Sequence, residues 1–444
     1  MHSTVDIPSL NAIPAPNRII IIGGGIVGAS LAFHLSTRST HHHIVLIDKD
    51  LQAQLGSTGH APGFVGQLNE SAVLTRLAQD TVSEYLSIPG GFNTVGGLEL
   101  TSTPSGLETL RRRRDLAKEA GLPAGLVEPE EAASLAPNFV DGSSIAGGLF
   151  FPSDGTADAK GITTYYLERA RDRGVDFLET AVTGFGTKKG ADENTARIAT
   201  IRTKDGEIDS ENSIVILATG IWTSSLLSTG NPSPITQLPI PVVPVAHPYT
   251  FTRPRPPRAG KPSPFVRWLD HHVYARDHGD LDGMGCYNHA PVLLNPDQSA
   301  IGAWLSDFEQ VLADASSVPK NGAEFQVSRH SEASVEEPEV AEKGPFNGIF
   351  AVTPDNLPLV GRVPDVDNLW LCAAIWVTTA AGAAKLLVRK ILGDDAAAHG
   401  DTMLLDALSP KRFWGLEPDL LIRRALRQYN DIYNRGLRED GDGQ

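Results

Sequence analysis

The chain has 444 residues, 41% of them hydrophobic and 20% charged, and its 38 basic and 53 acidic side chains give a formal net charge of −15. This composition excludes an intrinsically disordered chain, and the acidic balance argues against nucleic acid and membrane surfaces as partners, which leaves a small molecule. The sequence has two cysteines, too few for a disulfide framework or a four-thiolate metal site, so a reducing, cytoplasmic compartment and no metal are predicted.

A β-branched run followed by glycines opens the first structural unit of the chain. Residues 19–22 predict a buried strand, 23–28 have the pattern GxGxxG, and a second buried strand ends at Asp48. The first glycine permits a tight turn, the second lets the backbone reach a pyrophosphate, and the third lets the helix pack on the strand. A phosphate then binds at the helix N-terminus, and a carboxylate after the second strand accepts hydrogen bonds from a ribose. The unit predicts a dinucleotide site that uses Gly23, Gly25, Gly28 and Asp48.

Further elements follow from hydrophobic periodicity. Helices are predicted at residues 107–120, 162–172 and 380–392, and strands at 214–217, 349–352 and 369–373. Prolines crowd residues 232–264, which indicates a change of layer or domain rather than a helix. Residues 306–344 are polar and acidic and are a weak candidate for core. The apolar tract at 369–384 is shorter than the roughly 18–20 residues of a membrane span, so we expect a buried strand followed by a helix.

Short blocks that follow one another along the chain resemble the D-amino-acid-oxidase superfamily of flavoproteins. They lie at residues 23–28, 56–63, 215–220, 347–355 and 374–378. Within the superfamily they are most similar to the flavin half of dimethylglycine oxidase and of the dimethylglycine and sarcosine dehydrogenases. The resemblance extends from about residue 18 to residue 433. It implies an α/β fold in which a Rossmann-like, doubly wound FAD-binding domain is joined to a second, sheet-based substrate domain.

The resemblance also implies how the chain is divided. We expect a discontinuous FAD-binding domain built from residues 1–90, 150–235 and 342–400. Residues 91–149 and 236–341 would form the substrate domain. Residues 401–444 would form a C-terminal tail that packs back on the FAD-binding domain.

FAD is the cofactor that the resemblance implies. His60 lies where the relatives bond a histidine nitrogen to the flavin 8α-methyl group, so covalent FAD is implied. Further residues match cofactor-binding positions, namely Ile26, Val27, Lys49, Ser57, Thr58, Gly59, Phe64, Val182, Ala218, Gly220, Tyr274, Ile375, Trp376, Val377 and Thr378. A helix that begins near residues 375–378 would direct its positive N-terminal end at the flavin.

His247 and Tyr274 match the histidine and the tyrosine that flank the substrate in these relatives. An alkylamine is mostly protonated at neutral pH, yet its nitrogen lone pair must be available before the adjacent carbon loses hydride. A histidine that titrates near neutrality can take this proton, and a phenol can orient the amine. Arg267 and Arg276 are both candidates for holding a substrate carboxylate, and the sequence leaves the choice open.

The predicted reaction is the oxidation of a secondary or tertiary amine, with an N-methyl amino acid as the favoured substrate. Hydride transfer to FAD leaves an iminium ion that hydrolyses to an aldehyde and the dealkylated amine, and O2 or an electron-transfer protein reoxidises the flavin. Two departures from the relatives stand out. Thr379 replaces a histidine that is common there, and the sequence ends about 30 residues after Trp414, so coupling to folate is not expected.

Two alternatives remain open at this stage. A flavin-binding protein without turnover, acting as an interaction partner, would account for Thr379 and for the polar residues 306–344. A nicotinamide dehydrogenase would account for the glycine pattern but leaves residues 56–63 unexplained. The visible spectrum before and after addition of amines distinguishes the three.

Overall fold

The computed structural model describes residues 6–11, 17–228, 238–299, 304–328, 344–394, 398–430 and 432. The strands are β1 (Arg18–Ile22), β2 (His43–Asp48), β3 (Phe64–Val65), β4 (Phe92–Asn93), β5 (Gly97–Thr101), β6 (Gly125–Val127), β7 (Gly147–Phe151), β8 (Gly155–Ala157), β9 (Asp176–Glu179), β10 (Val182–Lys189), β11 (Ala196–Thr203), β12 (Gly206–Asp209), β13 (Ser213–Leu217), β14 (Val243–Phe251), β15 (Phe265–Trp268), β16 (Val273–Asp277), β17 (Asp282–Cys286), β18 (Phe346–Val352), β19 (Leu359–Arg362) and β20 (Leu369–Ala373). The α-helices are α1 (Ile7–Asn11), α2 (Ile26–Arg38), α3 (Ser57–His60), α4 (Ala72–Tyr85), α5 (Pro104–Glu119), α6 (Pro129–Leu135), α7 (Ala159–Asp172), α8 (Thr223–Ser228), α9 (Pro296–Ser299), α10 (Phe308–Ser316), α11 (Ala380–Leu392), α12 (Ala398–Leu408) and α13 (Pro418–Tyr429).

A six-stranded sheet forms the first layer of the fold, in the order β19-β20-β13-β1-β2-β9. All neighbours are parallel except β19 and β20, which are antiparallel. Helices α2, α4, α7 and α11 bury their apolar sides on one face, and the small sheet β10-β11-β12 helps to cover the other. Every residue of β1 is buried, as expected for a central parallel strand covered on both faces. The sheet confirms the predicted α/β class with a parallel core.

An eight-stranded sheet forms the second layer, in the order β18-β14-β17-β16-β15-β5-β7-β6. It is antiparallel except for β15 and β5, which are parallel. Its strands β14 and β16 carry His247 and Tyr274, respectively. Strands β3, β8 and β4 form a further small sheet.

Part of the polar segment at 306–344 belongs to the core, so the prediction of weak core character is wrong there. Helix α10 buries Phe308, Leu312 and Ala315, which follow one another at helical spacing. Leu312 and Ala315 pack together with Phe325 in the core of the eight-stranded sheet. The net polarity of the segment concealed this narrow apolar stripe. Residues 329–343 of the segment lie outside the described residues.

The apolar tract at 369–384 forms the expected buried strand, β20, and the first part of helix α11. Helix α11 ends at Gly393, whose φ of +68° gives the left-handed conformation common after a helix C-terminus. No helix within the described ranges is long and apolar enough to cross a membrane.

The proposed domain boundaries can be placed against the two sheets. Strand β18 falls inside the predicted FAD segment 342–400 but pairs with β14 in the eight-stranded sheet, so we propose that this segment begins after Val352. In the C-terminal tail, Leu421 packs in the core beneath the six-stranded sheet, whereas Ala425 and Tyr429 of the same helix pack beside β14. The tail therefore contacts both layers.

Candidate active site

The turn between β1 and α2 brings backbone atoms into close contact at two glycines. Gly23 has a φ of +106°, and a Cβ atom there would lie 2.4 Å from the carbonyl oxygen of Ala218. A Cβ atom on Gly28 would lie 1.8 Å from the carbonyl oxygen of Gly23. Both positions require glycine, and the turn thereby holds the positive N-terminal end of α2 close to the carboxyl end of β1.

Two side chains fix this turn from the neighbouring elements. The backbone N–H of Gly24 donates to Asp48 Oδ2 at 2.6 Å, and that of Asp50 donates to Asp48 Oδ1 at 2.9 Å. The N–H of Ile26 donates to Thr58 Oγ1 at 3.1 Å. Burial raises the pKa of Asp48, against the effect of these backbone donors. Asp48 therefore shapes the turn itself, and its predicted contact with a ribose stays a prediction.

A cavity of about 680 Å³ is lined by the glycine turn, by the carboxyl ends of parallel strands and by the eight-stranded sheet. Pockets for small ligands typically measure roughly 300–1,000 Å³. The cavity wall includes most of the predicted site residues, namely Gly23, Gly25, Ile26, Val27, Asp48, Lys49, Ser57, Thr58, His60, Phe64, Val182, Ala218, Gly220, His247, Tyr274, Ile375, Trp376, Val377 and Thr378. Gly28 and Gly59 lie behind the wall, where a Cβ atom on Gly59 would come within 2.1 Å of the carbonyl oxygen of Gln54. In the part of the chain that the structure describes, no group of three His, Cys, Asp or Glu side chains is placed to hold a metal ion.

The wall that lies beside the glycine turn is aromatic and charged. The Lys49 ammonium lies 3.8 Å from the ring centroid of Trp222, and the indole N–H of Trp222 donates to Asp297 at 2.9 Å. Val182, the first residue of β10, also borders the cavity. The stacking of Lys49 on Trp222 holds a cation and an indole side by side at the cavity wall, where a flat, polar ring system such as a nucleotide base would find both an aromatic and a hydrogen-bonding neighbour.

His60 ends the short helix α3 and lines the cavity. Its Nδ1–H donates to the carbonyl oxygen of Gly56 at 3.0 Å. Because a carbonyl oxygen can only accept, this bond fixes the proton of the neutral ring on Nδ1. The lone pair of the ring therefore resides on Nε2.

His247 and Tyr274 meet in the wall contributed by the eight-stranded sheet. His247 Nε2 and the Tyr274 hydroxyl share a hydrogen bond of 2.8 Å, and the two rings lie nearly parallel with centroids 5.7 Å apart. His247 is 2% exposed, and burial lowers its pKa well below the usual histidine value. The prediction that His247 titrates near neutrality is therefore wrong. Burial in this aromatic wall disfavours the charged ring, which stays neutral at pH 7.

A second tyrosine, from the C-terminal helix α13, reaches the same histidine. The Tyr429 hydroxyl lies 2.7 Å from His247 Nδ1 and 2.9 Å from His289 Nε2. Tyr429 is fully buried, and His289 is partly exposed. Sequence reasoning missed both residues. The signal for Tyr429 was available, since Leu421, Ala425 and Tyr429 recur at intervals of four and form the buried stripe of the helix.

The joint between β20 and α11 contains an unusual backbone conformation. Ala374 has a φ of +54°, which is strained for a residue with a side chain. The hydroxyl of Tyr85 donates to the carbonyl oxygen of Val377 at 2.9 Å, and the indole of Trp376 donates to that of Ala351 at 3.1 Å. Thr379, by contrast, is buried and does not line the cavity.

Comparison with known proteins identifies the family. The family model described as "DAO: FAD dependent oxidoreductase" matches residues 18–390 of the chain. The chain belongs to this family.

Individual relatives agree with this assignment. The chain is 27% identical to mitochondrial sarcosine dehydrogenase of Mus musculus over 81% of its own length and 37% of the relative. It is 26% identical to mitochondrial dimethylglycine dehydrogenase of Rattus norvegicus over 89% of this chain and 44% of the relative. It is also 26% identical to the mitochondrial pyruvate dehydrogenase phosphatase regulatory subunit of Mus musculus, over 62% of this chain and 30% of the relative. The chain thus spans less than half the length of these curated relatives.

A solved structure shows the same fold. The crystal structure of L-proline dehydrogenase from P. horikoshii superposes with a TM-score of 0.70 at 22% identity, over 90% of this chain and 98% of that one. This likeness confirms the predicted fold class of the DAO family.

The geometry of the turn fits the FAD of the DAO family. The contacts at Gly23 and Gly28 leave no room for side chains, and the N-terminus of α2 offers N–H groups and a positive dipole to a pyrophosphate. The same cavity continues past His60 to His247 and Tyr274. One space therefore has a wall suited to a dinucleotide and a second wall suited to proton transfer.

The structure separates the two arginines that the sequence could not rank. Arg267 lines the cavity, whereas Arg276 is not part of its wall and donates to the carbonyl oxygen of Pro62. Arg267 Nη1 also donates to Glu99 at 2.9 Å, and Glu99 accepts two further bonds from Arg113 at 2.6 and 2.8 Å. Arg113 of this buried trio also donates to Glu70 at 3.0 Å, so a second carboxylate offsets its positive charge.

Asp154 is a buried carboxyl group beside this trio. Burial raises its pKa from 3.8 to about 7, against the effect of hydrogen bonds from Gln67. The pKa of Asp154 is higher in the folded than in the unfolded state. The stability that the protonated carboxyl group contributes is therefore fully present below pH 3.8 and is lost as the pH rises through 7. The variant Asp154→Asn avoids this loss and should raise the free energy of unfolding at pH 8 by at most about 4 kcal/mol, at ~1.4 kcal/mol per pKa unit.

Urea unfolding at pH 8 and at pH 5 checks this expectation. The advantage of Asp154→Asn over the unaltered protein should be clearly smaller at pH 5. An equal difference at both pH values would show that the carboxyl group is not titrating in this range.

Proposed function

We propose that the protein oxidises a secondary or tertiary amine, with an N-methyl amino acid as the favoured substrate class. The hydrogen-bonded pair of His247 and Tyr274 in the cavity wall carries this proposal, because it places a neutral base and a phenol in one buried site. FAD, when bound, accepts a hydride from the carbon next to the substrate nitrogen. The relatives named sarcosine and dimethylglycine dehydrogenase support the substrate class.

The cofactor would be held along the first wall of the cavity. The glycine turn and the N-terminus of α2 would bind the pyrophosphate, and Asp48 would accept from a ribose. Lys49, Trp222 and Val182 would surround the base. The joint at residues 375–378 would border the flavin.

The second wall would prepare the amine for oxidation. An ammonium group entering this cavity must lose a proton before its nitrogen lone pair can assist the departure of hydride. His247 is neutral in its buried site and can accept that proton through the hydroxyl of Tyr274. The iminium product would then hydrolyse to an aldehyde and the dealkylated amine.

We propose Arg267 as the group that attracts a substrate carboxylate. It lines the cavity, and a guanidinium group binds a carboxylate through strong charge-assisted hydrogen bonds. Arg276 is the weaker candidate because it does not line the cavity and its guanidinium group donates to the carbonyl oxygen of Pro62. O2 or an electron-transfer protein is the proposed final acceptor. A cytoplasmic location and the absence of folate coupling stay predictions.

The visible spectrum under anaerobic mixing tests the function. The purified protein should show flavin absorption bands, and sarcosine, dimethylglycine or a larger N-methyl amine should bleach them. The bleaching rate should saturate at a lower concentration for amines that carry a carboxylate than for amines without one, because Arg267 attracts the carboxylate. A flavin that no amine of this panel bleaches would refute the proposal.

We further propose that FAD is attached covalently through Nε2 of His60. The bond from Nδ1 to Gly56 leaves the nucleophilic lone pair on Nε2, in the cavity wall. Precipitation of the unaltered protein in acid should give a yellow pellet. His60→Ala should bind FAD but release it into the supernatant, because the variant lacks the nucleophile.

A variant of another histidine is the control for this experiment. His278→Ala, which changes a histidine that is not part of the cavity wall, should give a pellet as yellow as that of the unaltered protein. A colourless pellet from the unaltered protein, with free FAD in solution, would contradict covalent attachment.

A flavin-binding protein without turnover is the second candidate function. The relative named as a phosphatase regulatory subunit favours it, since that printed name describes no oxidoreductase. This candidate predicts flavin bands that remain unchanged with every amine. The match to an FAD dependent family argues against the nicotinamide alternative.

A further inference from the structure

Four side chains form a continuous chain of hydrogen bonds that begins in the cavity wall. Tyr274 bonds to His247 at 2.8 Å, His247 to Tyr429 at 2.7 Å, and Tyr429 to His289 at 2.9 Å. The other ring nitrogen of His289 contacts the carbonyl oxygen of Ala290 at 2.8 Å. The chain thus links a buried wall of the cavity to a partly exposed histidine.

The carbonyl of Ala290 sets the direction of every bond in the chain. A carbonyl can only accept, so the neutral His289 carries its proton on Nδ1 and accepts on Nε2. Tyr429 has a single hydroxyl proton, which it donates to His289, so its oxygen accepts from His247 Nδ1–H. The Nε2 atom of His247 is then an acceptor for the hydroxyl of Tyr274. All four groups are aligned to pass a proton away from the cavity.

We propose that Tyr429 and His289 are positioning residues that conduct the substrate's ammonium proton from His247 to the protein surface. This inference rests on the proposed amine oxidation and adds the route by which the proton leaves a closed site. Without the relay, His247 would keep the substrate's proton and remain a cation beside the substrate. A positive charge there opposes the formation of the positively charged iminium ion.

Each proton transfer replaces one N–H or O–H bond with another. The ammonium proton passes to the oxygen of Tyr274 as the hydroxyl proton of Tyr274 passes to His247 Nε2. His247 Nδ1–H then passes to the oxygen of Tyr429, whose own proton passes to His289 Nε2. The net result is a neutral amine in the cavity and a protonated His289, which gives its extra proton to water. No electrons are exchanged in this step.

The surroundings of the chain favour transfer over trapping of the charge. Burial lowers the pKa of His247 and of His289 and raises that of Tyr429 well above the usual phenol value, so the resting groups are neutral. Strand β17 contributes Cys286, a thiol whose pKa burial raises to about 11, and Tyr287 packs against the ring of His247. Helix α10 contributes Phe308 against His289 and, farther away, Asp314 near Cys286.

Stopped-flow bleaching with an N-methyl amine tests the relay in the full-length protein. Tyr429→Phe removes only the bridging hydroxyl and should slow bleaching about tenfold, less than the roughly 10²–10⁴-fold of a group that exchanges the proton directly. The loss should grow as the pH falls and the amine is more fully protonated. His289→Gln should be slowed similarly but should recover when imidazole is added as a small proton acceptor at the surface. Tyr429→Phe should not recover, because His247 Nδ1 faces the fully buried Tyr429 and is closed to imidazole at the surface.

A matched control and an independent readout separate the relay from a structural effect. His278→Gln changes another histidine that bonds to a tyrosine of the cavity wall, Tyr249, and should leave the rate unchanged. In the absence of amine, nitrogen-15 spectra of labelled histidines should show His247 and His289 protonated on Nδ1. Unaltered kinetics in Tyr429→Phe, or a proton on His247 Nε2 in the protein without amine, would overturn the relay alone. Failure of the unaltered protein to bleach would overturn the proposed function, and the relay with it.

Discussion

Replacing Gly28 by alanine is expected to abolish the retention of FAD. The added Cβ atom would lie 1.8 Å from the carbonyl oxygen of Gly23, a backbone atom in a turn that Asp48 and Thr58 hold in place. The clash must be relieved by moving α2 away from β1, which costs about 1–3 kcal/mol, typical of an overpacked site. The movement also displaces the N–H groups that would bind the pyrophosphate.

The ratio of flavin absorbance to protein absorbance after purification measures this effect. Gly125→Ala is the matched control, because Gly125 is exposed and a Cβ atom there has no neighbour within 4 Å. The control should retain as much FAD as the unaltered protein, and circular dichroism should show that both variants are folded. A Gly28→Ala protein with a full complement of FAD would contradict the proposed role of the turn.

Replacing His247 by alanine is expected to slow bleaching of the flavin by N-methyl amines by about 10²-fold or more, in the range typical of general acid–base groups. The variant removes the base and also disconnects Tyr274 from Tyr429. Protonated amine dominates at low pH, so the rate relative to the unaltered protein should fall further as the pH decreases. At high pH the amine enters already neutral, and the two proteins should converge.

The rate constant of bleaching at saturating amine, measured from pH 6 to pH 10, is the relevant quantity. The FAD content of the variant must match that of the unaltered protein, so that a lost cofactor is not mistaken for lost chemistry. His278→Ala, at a histidine outside the cavity wall, should behave like the unaltered protein across this range. An unchanged rate in His247→Ala would remove His247 from the mechanism.

Much of the first cavity wall was predictable because its residues are local in sequence. The turn at 23–28 and the carboxylate of Asp48 belong to one βαβ unit, and parallel pairing of β1 and β2 brings them together. The second wall could not be assembled in this way. Tyr429 lies 182 residues from His247 and 140 from His289, so no periodicity or spacing connects them.

The roles of charged residues also depended on the fold. Arg267 and Arg276 both lie in neighbouring strands of one sheet, and only their placement showed that one lines the cavity and the other does not. The prediction of a near-neutral pKa for His247 was wrong because a pKa depends on burial, which the sequence does not reveal. The core character of the polar segment at 306–344 was also missed, since three buried apolar residues at helical spacing were enough to pack α10 into the core.

The sequence by itself determined the α/β class, the dinucleotide turn and the resemblance to amine-oxidising flavoproteins, because each depends on short runs with a regular hydrophobic period or a glycine pattern. The tertiary structure alone decided the protonation state of His247, the arginine that faces the cavity and the link from Tyr274 through Tyr429 to His289. These features depend on desolvation and on hydrogen bonds of about 3 Å between distant segments. Such contacts exist only after the two sheets and the C-terminal helix have packed together.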